Sequence, residues 1–172
     1  MRPLLLTGGP AVGKSTCGRA LASERKRAAF IDVDDIRQLV VAGAATLWTG
    51  AEGEAQLLLG AANAATVARN FCHAGFEVVI ADFVTAESLA VYRKQLADCF
   101  VMHLRISLDG ALARASTRTV YLTDSEFTLL HGMIASPPPA DLVLDVDDLS
   151  VTEQIGLIRS AWQDAGVSPT AG

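Results

Sequence analysis

Short apolar runs recur along the chain at 3–7, 29–33, 77–81, 100–106 and 141–145, most of them bounded by glycine, proline or acidic residues. Runs of that length read as strands. Between them, apolar residues return at helical spacing over 14–25, 35–42, 52–74, 86–97, 108–115, 124–134 and 152–165. Strands alternating with helices in this way predict an α/β fold, a parallel sheet covered by helices on both faces. Boundary residues agree with the assignment. Asp35 and Gln38 stand at capping-box spacing, as do Ser150 and Glu153. Gly75 follows the longest helix as a left-handed cap, and Pro137-Pro138-Pro139 makes a stiff approach to the last strand. The pattern gives one domain over 1–165 and a frayed tail over 166–172.

The junction of the first strand and first helix carries the clearest chemistry. Gly8-Gly9-Pro10-Ala11-Val12-Gly13-Lys14-Ser15 fits G-x-x-x-x-G-K-[ST] at every fixed position, and Thr16 follows. Glycines let the backbone curl so that successive N–H groups point at phosphate oxygens. The helix that begins there adds the positive end of its dipole. Lys14 is placed to reach the β and γ phosphates and the Ser15 hydroxyl to ligate magnesium. Leu4-Leu5-Leu6 directly before the loop, and Cys17, Ala20 and Leu21 directly after it, supply the strand and apolar helix face that such a loop needs.

Composition narrows the class. The chain is 51% hydrophobic and 19% charged, and much of the apolar fraction is alanine, as closely packed helices require. The apolar stretch 39–48 falls well short of the roughly 20 residues that span a bilayer, so no membrane partner is expected. The start imitates a signal peptide, but Thr7-Gly8-Gly9 cuts the apolar run at once, and it reads as a strand. Cys17, Cys72 and Cys99 form neither a metal spacing nor an even disulfide framework, which suits the reducing cytoplasm. A net charge of −5 argues against nucleic acid as a partner. The basic run Arg25-Lys26-Arg27 closes a helix, where cations meet the negative end of the dipole.

Phosphate loops serve switches, motors and kinases. No Asn-Lys-x-Asp guanine-reading segment is present, which also favours ATP over GTP as the nucleotide. The second strand ends in Ile31-Asp32-Val33-Asp34-Asp35-Ile36-Arg37. Ligands of open α/β sheets sit at the carboxyl ends of strands, so Asp34 is placed to orient an acceptor hydroxyl and take its proton. Asp35 is the expected helix N-cap, and Asp32 a partner for Arg37 or another cation. Asp82, at the end of the third strand, either organises magnesium, contacts substrate or simply begins a turn. Arg114 and Arg118 are four apart on one helical face, just before the polar stretch 119–123. They are candidates for neutralising charge on a transferring phosphoryl group from a mobile lid, or else form a solvated basic face. Trp48, beside turn residues, either stacks on an apolar substrate or closes the core. Asn63, set among alanines, either satisfies a buried backbone group or touches substrate. His73, His103 and His131 form no triad or metal spacing.

Taken together, residues 8–16, the element Asp34-Asp35-Ile36-Arg37, residues 78–82 and the spacing of Arg114 and Arg118 resemble the small P-loop phosphotransferases of the chloramphenicol phosphotransferase and zeta-toxin kinase group. Shikimate and nucleoside monophosphate kinases are more distant relatives of that group. The resemblance implies a three-layer P-loop fold with a five-stranded parallel sheet in the order 2-3-1-4-5 and a small arginine lid. It also implies ATP with magnesium as donor, a hydroxyl as acceptor, and a base at Asp34. The match fades over 42–60, where such enzymes build the acceptor pocket. The expected function is therefore an ATP:alcohol phosphotransferase acting on a small molecule, with antibiotics and other secondary metabolites among the candidates. The alternatives are a nucleoside or nucleotide kinase and a nucleotide-dependent regulatory protein. Gly8 to Thr16 would bind the nucleotide, Ser15 and Asp82 the metal, and Asp34, Arg37, Trp48, Asn63 and Asp82 the acceptor.

Overall fold

The structure, a computed structural model, describes residues 1–116, 122–134 and 137–166. Five parallel strands form one sheet: β1 (Leu4–Gly8), β2 (Ala28–Asp32), β3 (Glu77–Ala81), β4 (Phe100–Arg105) and β5 (Leu142–Asp145). Their order across the sheet is β2-β3-β1-β4-β5, as expected. Leu4 pairs with Val79 on one side and Phe100 on the other, so β1 lies at the centre with its carboxyl end opening into the phosphate loop.

Period-two alternation along the strands sorts the core into two layers. Leu4, Leu6, Val79, Met102 and Leu104 face a layer that includes Cys17 and Leu21 of α1 (Lys14–Ser23) and Ile158 and Trp162 of α7 (Val151–Gly166). Leu5, Val78, Ile80 and Val101 face the other layer, built from α3 (Gly50–His73) and α4 (Ala86–Gln95). On α3 the buried stripe is Ala61, Ala64, Ala65 and Ala68, small side chains at helical spacing that let a long helix lie close to the sheet. No helix among the described residues is long and apolar enough to cross a membrane.

Most boundaries follow the sequence expectation within a residue or two. Gly75 takes φ +79°, and Ser150 caps α7 through a reciprocal pair with Glu153. The remaining helices are α5 (Leu108–Ala115) and α6 (Asp124–Met133), the latter with a capping box from Thr123 and Glu126. The second helix is a correction. It was expected over 35–42 with Asp35 as its cap, but α2 spans Val33–Arg37 and its cap is Asp32, whose carboxylate accepts the Asp34 N–H at 3.3 Å. Asp32 ends the strand in extended conformation and so reaches the first free N–H groups before Asp35 can. Beyond Arg37 the apolar pattern continues, but Leu39 and Val41 are 76% and 95% exposed, and with no core to meet the helix stops. Gly166, assigned to the tail, belongs to α7, while 167–172 lie outside the described residues.

Candidate functional site

The loop between β1 and α1 is shaped by its own backbone. Gly8 takes φ +142° and Gly13 φ +103°, values that L side chains rarely adopt. A Cβ at Gly8 would stand 2.3 Å from the Leu104 carbonyl oxygen, and one at Gly13 would stand 3.1 Å from Nε2 of Gln154. Ala11, between them, takes φ +60°. The loop therefore turns sharply at three places, and α1 begins at Lys14, the first residue past the second glycine. Lys14 Nζ donates to the carbonyls of Gly8 and Gly9, both at 2.8 Å, which tie the start of the loop to its end. Ser15 and Thr16 are exposed at the first turn of α1 and line the same cavity.

Two side chains brace the loop from behind. The buried Gln154 donates through Nε2 to the Val12 carbonyl at 2.9 Å. Arg114 reaches the same carbonyl at 3.3 Å and also donates to the carbonyls of Val146 and Leu149. Arg114 was expected to project over the phosphates with Arg118. Instead its guanidinium joins α5, the phosphate loop and the turn before α7, because three backbone carbonyls converge there. Arg118 lies outside the described residues, and of the expected lid stretch 119–123 only Leu122 and Thr123 are described.

Across the cavity from the loop, the ends of β2 and β3 bring a set of ionic side chains together. Arg37 Nη1 donates to Asp34 Oδ1 at 2.9 Å, and Nη2 donates to Asp82 Oδ1 at 2.7 Å. The Tyr92 hydroxyl of α4 donates to the other Asp82 oxygen at 2.7 Å. The Asp82 side chain is fully buried and the Asp34 side chain 77% exposed. Burial pushes the Asp82 pKa upward, yet Arg37 and Tyr92 both oppose it, and two donors at hydrogen-bond distance mark a carboxylate paired with a guanidinium. Burial also works against the charge on Arg37, but Asp82 and Asp34 outweigh it and raise its pKa. The Tyr92 phenol, buried against Asp82, is held protonated well above its ordinary range. Both Asp82 oxygens are engaged inside the protein, one by Arg37 and the other by Tyr92, so Asp82 anchors Arg37. Asp32, whose expected partner was Arg37 or another cation, caps α2 instead.

The loop and the ionic cluster open into one cavity of about 470 Å³. Its remaining wall is apolar: Leu47, Trp48, Leu57, Phe83, Leu130 and Met133 all line it. Trp48 thus faces the cavity, half-buried, and does not close the core. Asn63 does not line this cavity but an adjoining groove that shares Asp34, Arg37 and Leu47 with it. It is exposed on α3, off the alanine stripe, and lines that groove with Gln38 and Gly60. Sequence reasoning missed Tyr92, Gln154, Phe83, Leu130 and Met133. For Tyr92 a signal existed, since Leu89 and Tyr92 share one apolar face of α4, and a buried phenol needs a polar partner.

No protein-family model matches the sequence, and no curated protein matches it. Solved structures do. A sugar kinase from Janibacter sp. HTCC2649 superposes with a TM-score of 0.72 at 18% identity, covering 96% of this chain and 95% of its own. Shikimate kinase from Acinetobacter baumannii, in complex with shikimate, gives 0.66 at 20% identity, over 98% of this chain and 97% of its own. The tunicamycin resistance protein of Deinococcus radiodurans gives 0.65 at 13% identity, over 94% and 96%. The fold is that of the P-loop kinases. At these identities the likeness concerns architecture, and the chemistry has to be argued from the side chains in the cavity.

Proposed function

We propose that this protein is an ATP-dependent phosphotransferase that moves the γ-phosphate of ATP to a hydroxyl of a small molecule. The observation that carries the reading is the meeting of the phosphate loop and the Asp34 carboxylate in one cavity. A nucleotide binder needs the loop alone. A kinase also needs a basic group on the acceptor side, at the carboxyl end of a neighbouring strand. The likeness to sugar and shikimate kinases supports the same conclusion at the level of fold.

In this scheme the loop amides and Lys14 hold the triphosphate at the N-terminus of α1. The acceptor oxygen attacks the γ-phosphorus as the bond to the bridging oxygen of ADP breaks, and the hydroxyl proton passes to Asp34. Arg37 orients the Asp34 carboxylate through one oxygen, and the other has no partner among the described residues. Magnesium fits the donor set. The Ser15 hydroxyl is exposed to the cavity without a hydrogen-bond partner among the described residues, and hard cations take oxygen ligands. When bound through Ser15 and the phosphates, magnesium would supply charge neutralisation. We place Arg118 as the residue that meets the transferring group, since Arg114 is engaged behind the loop.

Asp34→Asn tests the reading. It keeps the shape and the hydrogen bond to Arg37 but removes the basic oxygen, so turnover should fall by about 10²–10⁴ while ATP affinity changes little. Asp35→Asn, at an exposed position that neither caps α2 nor pairs with Arg37, should leave turnover within about twofold. Coupled ADP-release kinetics on both variants decide it. Full activity in Asp34→Asn would remove the kinase mechanism.

A further inference from the structure

The acceptor end of the cavity contains a guanidinium that is already occupied. Arg37 is 10% exposed, with one amino group on Asp34 and the other on the buried Asp82. Its position is fixed from the side by α3, where a Cβ at Gly60 would stand 3.1 Å from its Nε. Tyr92 fixes Asp82 in turn. Turning Arg37 toward a ligand would leave a fully buried carboxylate without its countercharge, which is strongly unfavourable. The other cation among the described lining residues is Lys14, at the phosphate end. Asp32, Asp34 and Asp82 also line the cavity, so the acceptor end carries more negative than positive charge. The rest of its wall is the apolar set that includes Trp48 and Phe83.

We infer that the acceptor is an uncharged alcohol with an apolar body, and that Asp82 excludes anionic acceptors by occupying Arg37. The inference rests on the kinase reading for the hydroxyl, while the charge selection is a property of binding alone. A carboxylate or phosphate group entering here would find no unpaired cation at the acceptor end among the described residues, because both terminal amino groups of Arg37 are engaged and its Nε, which lacks a partner, is buried against Gly60 of α3. It would also lie beside carboxylates of its own sign, so the site discriminates by repulsion as well as by fit. An apolar body releases water from the Leu47, Trp48, Leu57 and Phe83 walls, and its hydroxyl can approach Asp34.

The test uses the full chain and matched pairs of alcohols that differ in one carboxylate: styrene glycol with mandelate, para-hydroxybenzyl alcohol with para-hydroxybenzoate, and methyl shikimate with shikimate. Binding is measured by calorimetry in the presence of a non-hydrolysable ATP analogue with magnesium, and transfer by ADP release with ATP. The uncharged members should bind about 100-fold more tightly than their carboxylates, the scale of an unpaired anion beside like charges. Asp82→Asn should narrow that ratio by about tenfold by freeing one edge of Arg37. Should that variant fail to fold, the wild-type pairs decide the acceptor class. Equal or tighter binding of the carboxylates overturns the inference, and their phosphorylation would leave the kinase reading standing. Preferential binding of uncharged members without transfer would sustain the charge selection and sink the kinase reading. Binding of no member overturns the inference, and an unchanged ratio in a folded Asp82→Asn removes Asp82 from it.

Discussion

At the donor end of the cavity, an eight-residue stretch of chain makes the site, and its backbone does most of the work. Gly8, Ala11 and Gly13 take left-handed torsions, Lys14 bonds two loop carbonyls, and α1 points its N-terminus inward. At the acceptor end no stretch of chain is sufficient. Asp34 and Arg37 come from α2, Asp82 from the end of β3, Tyr92 from α4, Trp48 from the turn before α3, and Leu130 and Met133 from α6. A site made of backbone tolerates change around it, since only the torsions and close contacts matter. A site made of side chains from several elements can be re-specified by replacing any of its walls. That difference fits a fold that hosts a sugar kinase and a shikimate kinase alike.

The largest contrast is expected at Lys14. Lys14→Ala removes the cation proposed to meet the phosphates and the two bonds that close the loop. Wild-type protein at about 100 times its dissociation constant for ATP with magnesium should gain about 2.7 kcal/mol of stability by linkage, and the variant should gain almost none. Thermal unfolding with and without nucleotide measures this. Undiminished stabilisation would mean that the nucleotide binds elsewhere and that the donor end has been wrongly assigned.

Tyr92→Phe addresses the acceptor end and should have a smaller effect. It removes a buried hydroxyl from Asp82 Oδ2 and leaves that oxygen without a partner among the described residues. A loss of about 1–3 kcal/mol in unfolding free energy is expected, as for other buried groups left unsatisfied. The kinetic signature matters more. Because Asp82 sets Arg37, and Arg37 sets Asp34, the KM for the acceptor should rise while the KM for ATP stays put. Equal changes in both constants would mean that the two ends are one mechanical unit, and the contrast drawn above would fail.

The same contrast explains what the sequence could reveal. Strand positions and the phosphate loop were legible because each depends on contiguous chain: an apolar run, a turn, a helix start; the sheet order, which is non-local, came from the family resemblance. The role of Asp82 was not. Its carboxylate at a strand end suggested a metal ligand, and only the side chains of Arg37 and Tyr92, 45 and 10 residues away, make it an internal anchor. Arg114 misled for a related reason. Arg114 does lie on a helix, α5, but its capture by the carbonyls of Val12, Val146 and Leu149 depends on loops 102, 32 and 35 residues away along the chain. Asp35 lost the cap of α2 to Asp32 because capping depends on where the strand ends, and that boundary was placed one residue late.

The smallest effect expected is one of pH, and it belongs to the donor end. His103 lies on β4 paired with Thr7 of β1, one residue before the phosphate loop begins. Its side chain is buried, and Nδ1 has no hydrogen-bond partner among the described residues. Burial first, then the positive charges of Lys14 and Arg105, lower its pKa from the ordinary 6.5 to about 4. The folded protein therefore keeps the imidazole neutral at a pH where the unfolded chain takes up a proton. Stability from this group is complete above 6.5 and is lost as the pH falls toward about 4. Between neutrality and about pH 5.5 the loss should be about 1 kcal/mol, before most carboxylates begin to titrate. His103→Gln cannot titrate, so it should be less sensitive to pH over that window, whatever its stability at neutrality. Urea denaturation of both proteins across the window is the measurement. Parallel curves would show that the imidazole takes up a proton as readily in the fold as in the unfolded chain, in which case a positive charge develops near Lys14 across this window and the electrostatics of the donor end need redrawing.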